Sequence, residues 1–317
     1  MLDHLPYRAA DTRYDESAKL YKRCGDSGVL LPRVSLGLWK GFGATHPFGE
    51  SRNILHYAFD HGITHFDLAN NYGPPYGSAE ETFGRIMQTS FAPYRDELFI
   101  ATKAGYDMWP GPYGNWGSRK YLMSSLDQSL RRMNLEYVDL FYSHRYDPAT
   151  PLDETLQALA DIVHQGKALY VGLSRWPAEA FAYACRYLLE QHVRVLTYQG
   201  RYNLFDRAVE TDGVMDEVKR QHTGFVSFSP LAQGLLTDRY LNGVPSDSRI
   251  RTDVTLKEEQ LTPEYFAQLK VWHSEAQAQG LTMAQYALRW VLQHEEVTSV
   301  IVGVSRLQQL KDNLSCL

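Results

Sequence analysis

Four ionisable side chains stand at or just beyond the ends of short apolar runs in this chain. Asp67 follows Thr64-His65-Phe66, Tyr72 comes five residues later, Lys103 closes Phe99-Ile100-Ala101-Thr102, and His144 follows Asp139-Leu140-Phe141-Tyr142-Ser143. An ammonium beside a phenol favours phenolate and lowers the phenol pKa from ~10, and a carboxylate keeps that ammonium charged and placed. Asp67, Tyr72 and Lys103 together therefore describe a general acid usable near neutral pH. His144 can donate a hydrogen bond to a carbonyl oxygen and polarise it. The turn Gly73-Pro74-Pro75-Tyr76-Gly77 leaves Tyr72 free to point inward. Each residue taken alone has an ordinary use: a tyrosine packs, a strand-end lysine makes a rim ion pair, and most of the eleven histidines serve solvation or structure.

The elements that must position these groups alternate along the chain. Compact apolar runs at 34–37, 64–67, 98–103, 137–143, 168–174, 195–199, 224–228 and 299–303 read as strands covered on both faces. Helical patterns lie between and after them, at 50–61, 78–88, 119–133, 153–165, 177–191, 213–221, 263–279, 283–293 and 306–314. Gly62, Gly166 and Gly280 follow helices where a left-handed cap belongs, and Thr282 can cap the helix beginning at Met283. Leu156, Leu159, Ile162 and Val163 form one apolar face. Eight strands, each followed by a helix, predict an α/β fold: a (β/α)8 TIM barrel of ~250 residues. An open doubly wound sheet, with connections reversing at a switch point, stays open on periodicity alone. Segments 21–24 and 29–32 around Gly25-Asp26-Ser27-Gly28 read as an N-terminal hairpin at the barrel bottom. Residues 229–262 are the one long irregular stretch, and no linker divides the 317 residues into two domains.

In a barrel, chemistry gathers at the carboxyl ends of the strands. Those ends read Trp39, Asp67, Lys103, His144, Ser174-Arg175, Gln199, Ser229 and Gly303 to Ser305. No phosphate-loop motif occurs, and Gly41-Phe42-Gly43 lacks the third glycine of a dinucleotide fingerprint. The last strand-turn-helix, Val300 through Arg306, offers another phosphate site at a helix amino end, with a guanidinium beside it.

Composition bounds the partners. Thirty-two basic against thirty-seven acidic residues give a formal charge of −5, which predicts neither nucleic-acid nor membrane binding. No run of ~18 apolar residues is present, and residues 1–10 carry no signal-peptide core. Three scattered cysteines argue against a disulfide framework and a metal cluster. A cytoplasmic protein without a metal is expected, and a homo-oligomer is compatible with these features.

The run Gly62 through Asp67, Asn71-Tyr72-Gly73 and Ser78-Ala79-Glu80 resembles the first signature of the aldo-keto reductases. Lys103 and His144 match the remaining catalytic positions, and the resemblance runs from about residue 20 to 314. The insertion from Ala104 to Gly114, with Ser118-Arg119-Lys120-Tyr121-Leu122, is similar to the bacterial L-glyceraldehyde 3-phosphate reductases, relatives of the potassium-channel β subunits. The resemblance implies NADPH bound without a Rossmann fold, Tyr72 as proton donor, Asp67 and Lys103 as its tuners, and His144 orienting the carbonyl. It places Ser174 and Gln199, with Asp67, Trp39 and Arg175 nearby, around the nicotinamide, and Tyr202 near a ring-stacking position. Phe228-Ser229-Pro230-Leu231-Ala232-Gln233-Gly234 would cover the pyrophosphate, with Arg239 and Arg249 as phosphate partners. Gly303, Ser305, Arg306, Gln309 and Asn313 would hold the adenosine end, and Arg306 favours NADPH over NADH.

The substrate implied is a small aldehyde such as L-glyceraldehyde 3-phosphate or methylglyoxal, reduced to an alcohol. Trp39, Tyr76, Trp109, Tyr113 and Trp116 are candidate pocket walls, and Arg145 and Arg119 candidate anion binders. There are two departures from the family pattern. Arg175 precedes Trp176-Pro177 where a more polar segment is expected, and the chain stops at Leu317 where relatives continue into a tail beside the substrate. Two other classes compete: a Schiff-base aldolase using Lys103, and a cofactor-sensing binding subunit with weak turnover.

Overall fold

A computed structural model describes residues 6–317 apart from 246, 247, 249, 251–255, 257, 258 and 260. Its strands are β1 (Tyr21–Arg23), β2 (Leu30–Pro32), β3 (Val34–Gly37), β4 (His65–Asp67) and β5 (Phe99–Ala104), then β6 (Val138–Ser143), β7 (Ala168–Ser174), β8 (Val195–Arg201), β9 (Gly224–Phe228) and β10 (Val297–Val302). Strands β3 to β10 close into a parallel barrel in chain order, with β10 returning to pair with β3. The open-sheet alternative is thereby excluded. β1 and β2 pair antiparallel, Lys22 opposite Leu31. Cys24 and Leu31 pack with Ala101, Leu140, Leu196, Val226 and Ile301 inside the barrel, so the hairpin plugs the amino ends of the strands.

The two-residue period of a strand decides what faces inward. Val34, Leu36, Phe66, Ile100, Phe141, Val171 and Phe225 join the main core between barrel and helices. Their neighbours of opposite parity face the interior, where Ser35 meets His65 Nδ1 at 2.8 Å and Ser299 Oγ at 2.6 Å. Parity therefore carries Asp67, Lys103, Ser174, Gln199 and Phe228 onto the inner face. Continued one step beyond β3, β6 and β10, it reaches Trp39, His144 and Gly303.

The helices begin and end where local chemistry allows. Ser118 accepts a hydrogen bond from the Tyr121 amide at the start of Arg119–Met133, and Thr282 with Gln285 forms a complete capping box before Met283–Leu292. Gly62, Gly166 and Gly280 all take the left-handed backbone expected of them, at φ 78°, 71° and 67°. The helix read at 78–88 stops earlier, at Ile86, and gives way to a π turn (Met87–Phe91) and a 3-10 segment (Ala92–Glu97) containing Pro93. That change of winding seats Phe91 against Phe59 and Phe66, a tertiary demand that periodicity does not show. In the stretch read as irregular, Leu235, Leu236 and Tyr240 pack with Tyr265, Leu269 and Met283 as a second core. Among the described residues no helix is long and apolar enough to cross a membrane.

Candidate active site

The mouth of the barrel brings together the four groups singled out by type. Lys103 is fully buried and donates to Asp67 Oδ2 at 2.5 Å, to the Leu68 carbonyl at 2.6 Å and to the Tyr72 hydroxyl at 3.4 Å. The second Asp67 oxygen accepts from Gln199 Nε2 at 3.0 Å. The carboxylate thus ties β4, β5 and β8 together while compensating the buried ammonium. The His144 ring stands edge-on to Tyr72, centroids 6.0 Å apart, and Trp39 lies 6.3 Å from Tyr72 on another side.

The electrostatics correct one expectation. Burial, then the charges of Asp67 and Tyr106, push the Tyr72 phenol well above its ordinary value, while Arg175 acts weakly in the opposite sense. The phenolate expected from the nearby ammonium is disfavoured because Asp67 offsets that ammonium and the phenol is buried. The Tyr72 phenol is thereby held in its neutral form. Burial also pulls the Lys103 ammonium down, against Asp67. His144 is held well below the usual imidazole range by burial, then by Lys103, Arg175 and Arg145. A neutral imidazole beside a protonated phenol offers two donors to one oxygen. His144 Nδ1 is buried with no partner among the described residues.

The residues tied by resemblance to a cofactor fall into two groups. Ser174, Arg175 and Gln199 reach the same mouth, Ser174 and Gln199 buried and paired in register across β7 and β8. Phe228 ends β9, and the following segment holds Ser229, Ala232 and Gln233 at φ 54°, 47° and 59°. Three non-glycine residues in the left-handed region mark a loop whose shape is imposed by its surroundings. Arg239 is exposed on the turn Asp238–Tyr240, and Arg249 lies outside the described residues. Beyond β10, Arg306 is exposed at the start of helix Leu307–Leu314, while Gln309 turns back to accept from the Ser305 and Arg306 amides at 2.9 and 3.1 Å. Asn313 is buried on that helix. Tyr202 is not at the mouth: its hydroxyl reaches Glu210 and His294, and its ring packs on Trp290 behind the barrel.

The substrate-side candidates divide as well. Tyr76 and Tyr113 are exposed, and Trp109 packs on Tyr121 at 5.1 Å. Arg145 is engaged within the insertion. Its guanidinium donates to the Gly105 carbonyl at 2.7 Å and to Asn115 Oδ1 at 2.8 Å, between the rings of Tyr106 and Trp116. Arg119 pairs with Asp161 on the outer helices, away from the mouth. Sequence reasoning missed Tyr106 and Asp147. Tyr106 stacks edge-on against His144 at 4.7 Å, and Asp147 accepts from Gly117, Ala149 and Thr150. A tyrosine three residues past the strand-end lysine was the available signal for Tyr106.

Comparison with known proteins identifies the family of the chain. The chain is 54% identical over 302 residues to an L-glyceraldehyde 3-phosphate reductase of Escherichia coli O157:H7, an alignment spanning 94% of this chain and 87% of that protein. The corresponding protein of Escherichia coli strain K12 is 53% identical over the same length and shares. A probable voltage-gated potassium channel subunit beta of Arabidopsis thaliana is 34% identical over 304 residues, 93% of this chain and 90% of the relative. Residues 33–317 match the model of the aldo/keto reductase family, from the first barrel strand to the end, and the chain belongs to that family.

Proposed function

We propose that this protein reduces small aldehydes to alcohols with NADPH. The observation that carries the reading is the buried Asp67–Lys103 pair with Tyr72 at its edge and a neutral His144 facing it. The residues present fit a nicotinamide dinucleotide. Ser174 and Gln199 offer a hydroxyl and an amide to a carboxamide, and an added side-chain carbon at Gly303 would meet no atom within 4 Å. Arg306, exposed where the helix Leu307–Leu314 begins, offers a guanidinium for phosphate, while Arg175 Nη1 is engaged with the Tyr106 hydroxyl at 2.6 Å. Trp39, Asp67 and the segment from Phe228 through Gly234 would complete the holding set, and Arg306 supports NADPH over NADH.

When bound, the cofactor supplies the hydride. This chain's residues do the rest. Tyr72 donates its proton to the carbonyl oxygen as negative charge builds there, and His144 donates a second hydrogen bond to it. Lys103, held in place by Asp67, keeps the phenol oriented, and its ammonium offsets the negative charge left on the tyrosine oxygen. The relatives named for L-glyceraldehyde 3-phosphate support a short, polar aldehyde as substrate.

The test compares wild type with Tyr72→Phe for NADPH oxidation with glyceraldehyde 3-phosphate, methylglyoxal and an aromatic aldehyde. Loss of turnover by about 10²- to 10⁴-fold, with NADPH binding intact, is expected. Full activity in Tyr72→Phe would remove the tyrosine from the mechanism. The relatives named as channel subunits favour a second reading, a cofactor-binding subunit, which predicts NADPH binding without turnover of any aldehyde. The Schiff-base alternative is opposed by the ammonium of Lys103, whose three hydrogens are all engaged.

A further inference from the structure

The ladder between β8 and β9 ends at Arg201 opposite Phe228, and a side chain carries the tie further. Asn203, buried just past β8, donates from Nδ2 to the Ser229 carbonyl at 3.0 Å. Its Oδ1 accepts from the Phe205 and Asp206 amides, both at 2.9 Å, and its own backbone amide donates to the Asp206 carbonyl at 3.0 Å. Two N–H groups converging on one end of the side-chain amide fix that end as oxygen, so the other end is the NH2 group that meets Ser229. Asn203 thus closes the turn 203–206 with one end and grips the segment after β9 with the other.

The gripped residue is the one where that segment changes direction. Ser229 takes the left-handed backbone at φ 54°, and Ala232 and Gln233 follow at φ 47° and 59°. Such conformations persist only where the surroundings impose them. The Ser229 carbonyl also accepts from the Ala232 amide at 2.9 Å, so one oxygen is both the hub of the local turn and the point where Asn203 holds it. Ser229, Ala232 and Gln233 border a cavity of about 730 Å³, lined as well by Asn203, Phe205 and Tyr265. Among the described residues, close packing does not hold the face of the segment that borders this cavity. The restraint there falls to the directed bond from Asn203.

We propose that Asn203 is a positioning residue for cofactor binding: by holding the Ser229 carbonyl it sets the left-handed turn that presents residues 228–234 to the dinucleotide. The inference rests on the reading above, in which that segment belongs to the holding set, and it adds to that set a residue from the neighbouring strand exit. None of the bonds of Asn203 goes to Tyr72, Lys103 or His144, so its effect falls on the cofactor and not on the aldehyde.

Two substitutions keep the turn and remove the grip. Asn203→Asp leaves an oxygen for the Phe205 and Asp206 amides and replaces the donor facing Ser229 with a second oxygen. Asn203→Ser leaves a shorter acceptor for the same amides, adds no charge and has no group long enough to reach Ser229. NADPH is titrated into wild type and both variants by quenching of tryptophan fluorescence, at a temperature where urea unfolding shows each protein fully folded. The Kd for NADPH is expected to rise about tenfold in both variants, the worth of one hydrogen bond, with the KM for glyceraldehyde 3-phosphate unchanged. Wild type that binds NADPH while the folded variants bind it equally well overturns the role of Asn203 and leaves the cofactor reading standing. A KM for the aldehyde that rises as much as the Kd makes the change a general loosening of the mouth and overturns that role too. Wild type that does not bind NADPH overturns both.

Discussion

At the scale of single residues, the proposed mechanism needs two groups kept in the protonation states that donate. Tyr72 is pushed up and His144 pulled down, so above about pH 6.5 neither changes state until strongly alkaline conditions. Lys103 is the exception, because burial lowers its pKa and brings its deprotonation toward the working range. Alkaline loss of kcat should therefore belong to Lys103. A pH profile of Lys103→Met, weakly active, should lack the alkaline limb seen in wild type; a limb that persists would assign the titration to Tyr72. The residue types at the strand ends were readable because chemistry-bearing side chains stood where apolar runs stopped. The direction of the Tyr72 shift was not readable, since it depends on burial and on Asp67 offsetting the ammonium. The surroundings of Arg145 were hidden for a related reason: a guanidinium announces charge in the sequence, while its two aromatic neighbours and the Gly105 carbonyl are contacts of the folded insertion.

At the scale of elements, the two-residue period of each strand explains why seven distant segments deliver side chains to one mouth. Helix Ser78–Ile86 secures β5 from outside. Glu80, fully buried, accepts from Thr102 Oγ1 at 2.6 Å and from Arg132 Nε at 2.7 Å, joining that helix to Arg119–Met133 next to Lys103. Glu80→Ala should lower stability by about 3 kcal/mol in urea unfolding, because it leaves a largely buried guanidinium unpaired. The insertion after β5 is secured differently. Burial tends to raise the Asp147 carboxyl, but bonds from Thr150, Ala149 and Gly117 prevail and hold it below the usual carboxylate range. A depressed carboxylate contributes stability above its unfolded pKa and loses it as pH falls through the folded value. Asp147→Ala should thus cost about 2 kcal/mol at pH 7, and the gap from wild type should narrow below about pH 4. A gap independent of pH would mean the carboxylate charge plays no part. Strands and helices were legible from period and caps. The π turn at Met87–Phe91 and the internal bonding of the insertion were not, because both answer to partners distant in sequence.

For the whole molecule, closure of β10 onto β3 turns eight strand ends into one ring and brings the turn before Arg306 beside Trp39 and Gly41, whose backbone packs against Val304 and Ser305. A ring of this kind gathers Tyr72, Lys103 and His144 at its mouth, with the exposed Arg306 at its edge. Under the proposed function, Ser174 and Gln199 would hold the nicotinamide end and Arg306 a phosphate of the cofactor. The most direct measurement follows the hydride itself: NADPH deuterated at the transferable position of the nicotinamide is incubated with the protein and glycolaldehyde, and the alcohol is analysed by mass spectrometry. A single deuterium on the former carbonyl carbon, absent with Tyr72→Phe, is the predicted result. Alcohol without deuterium, or no alcohol while NADPH remains bound, would contradict hydride transfer at this site.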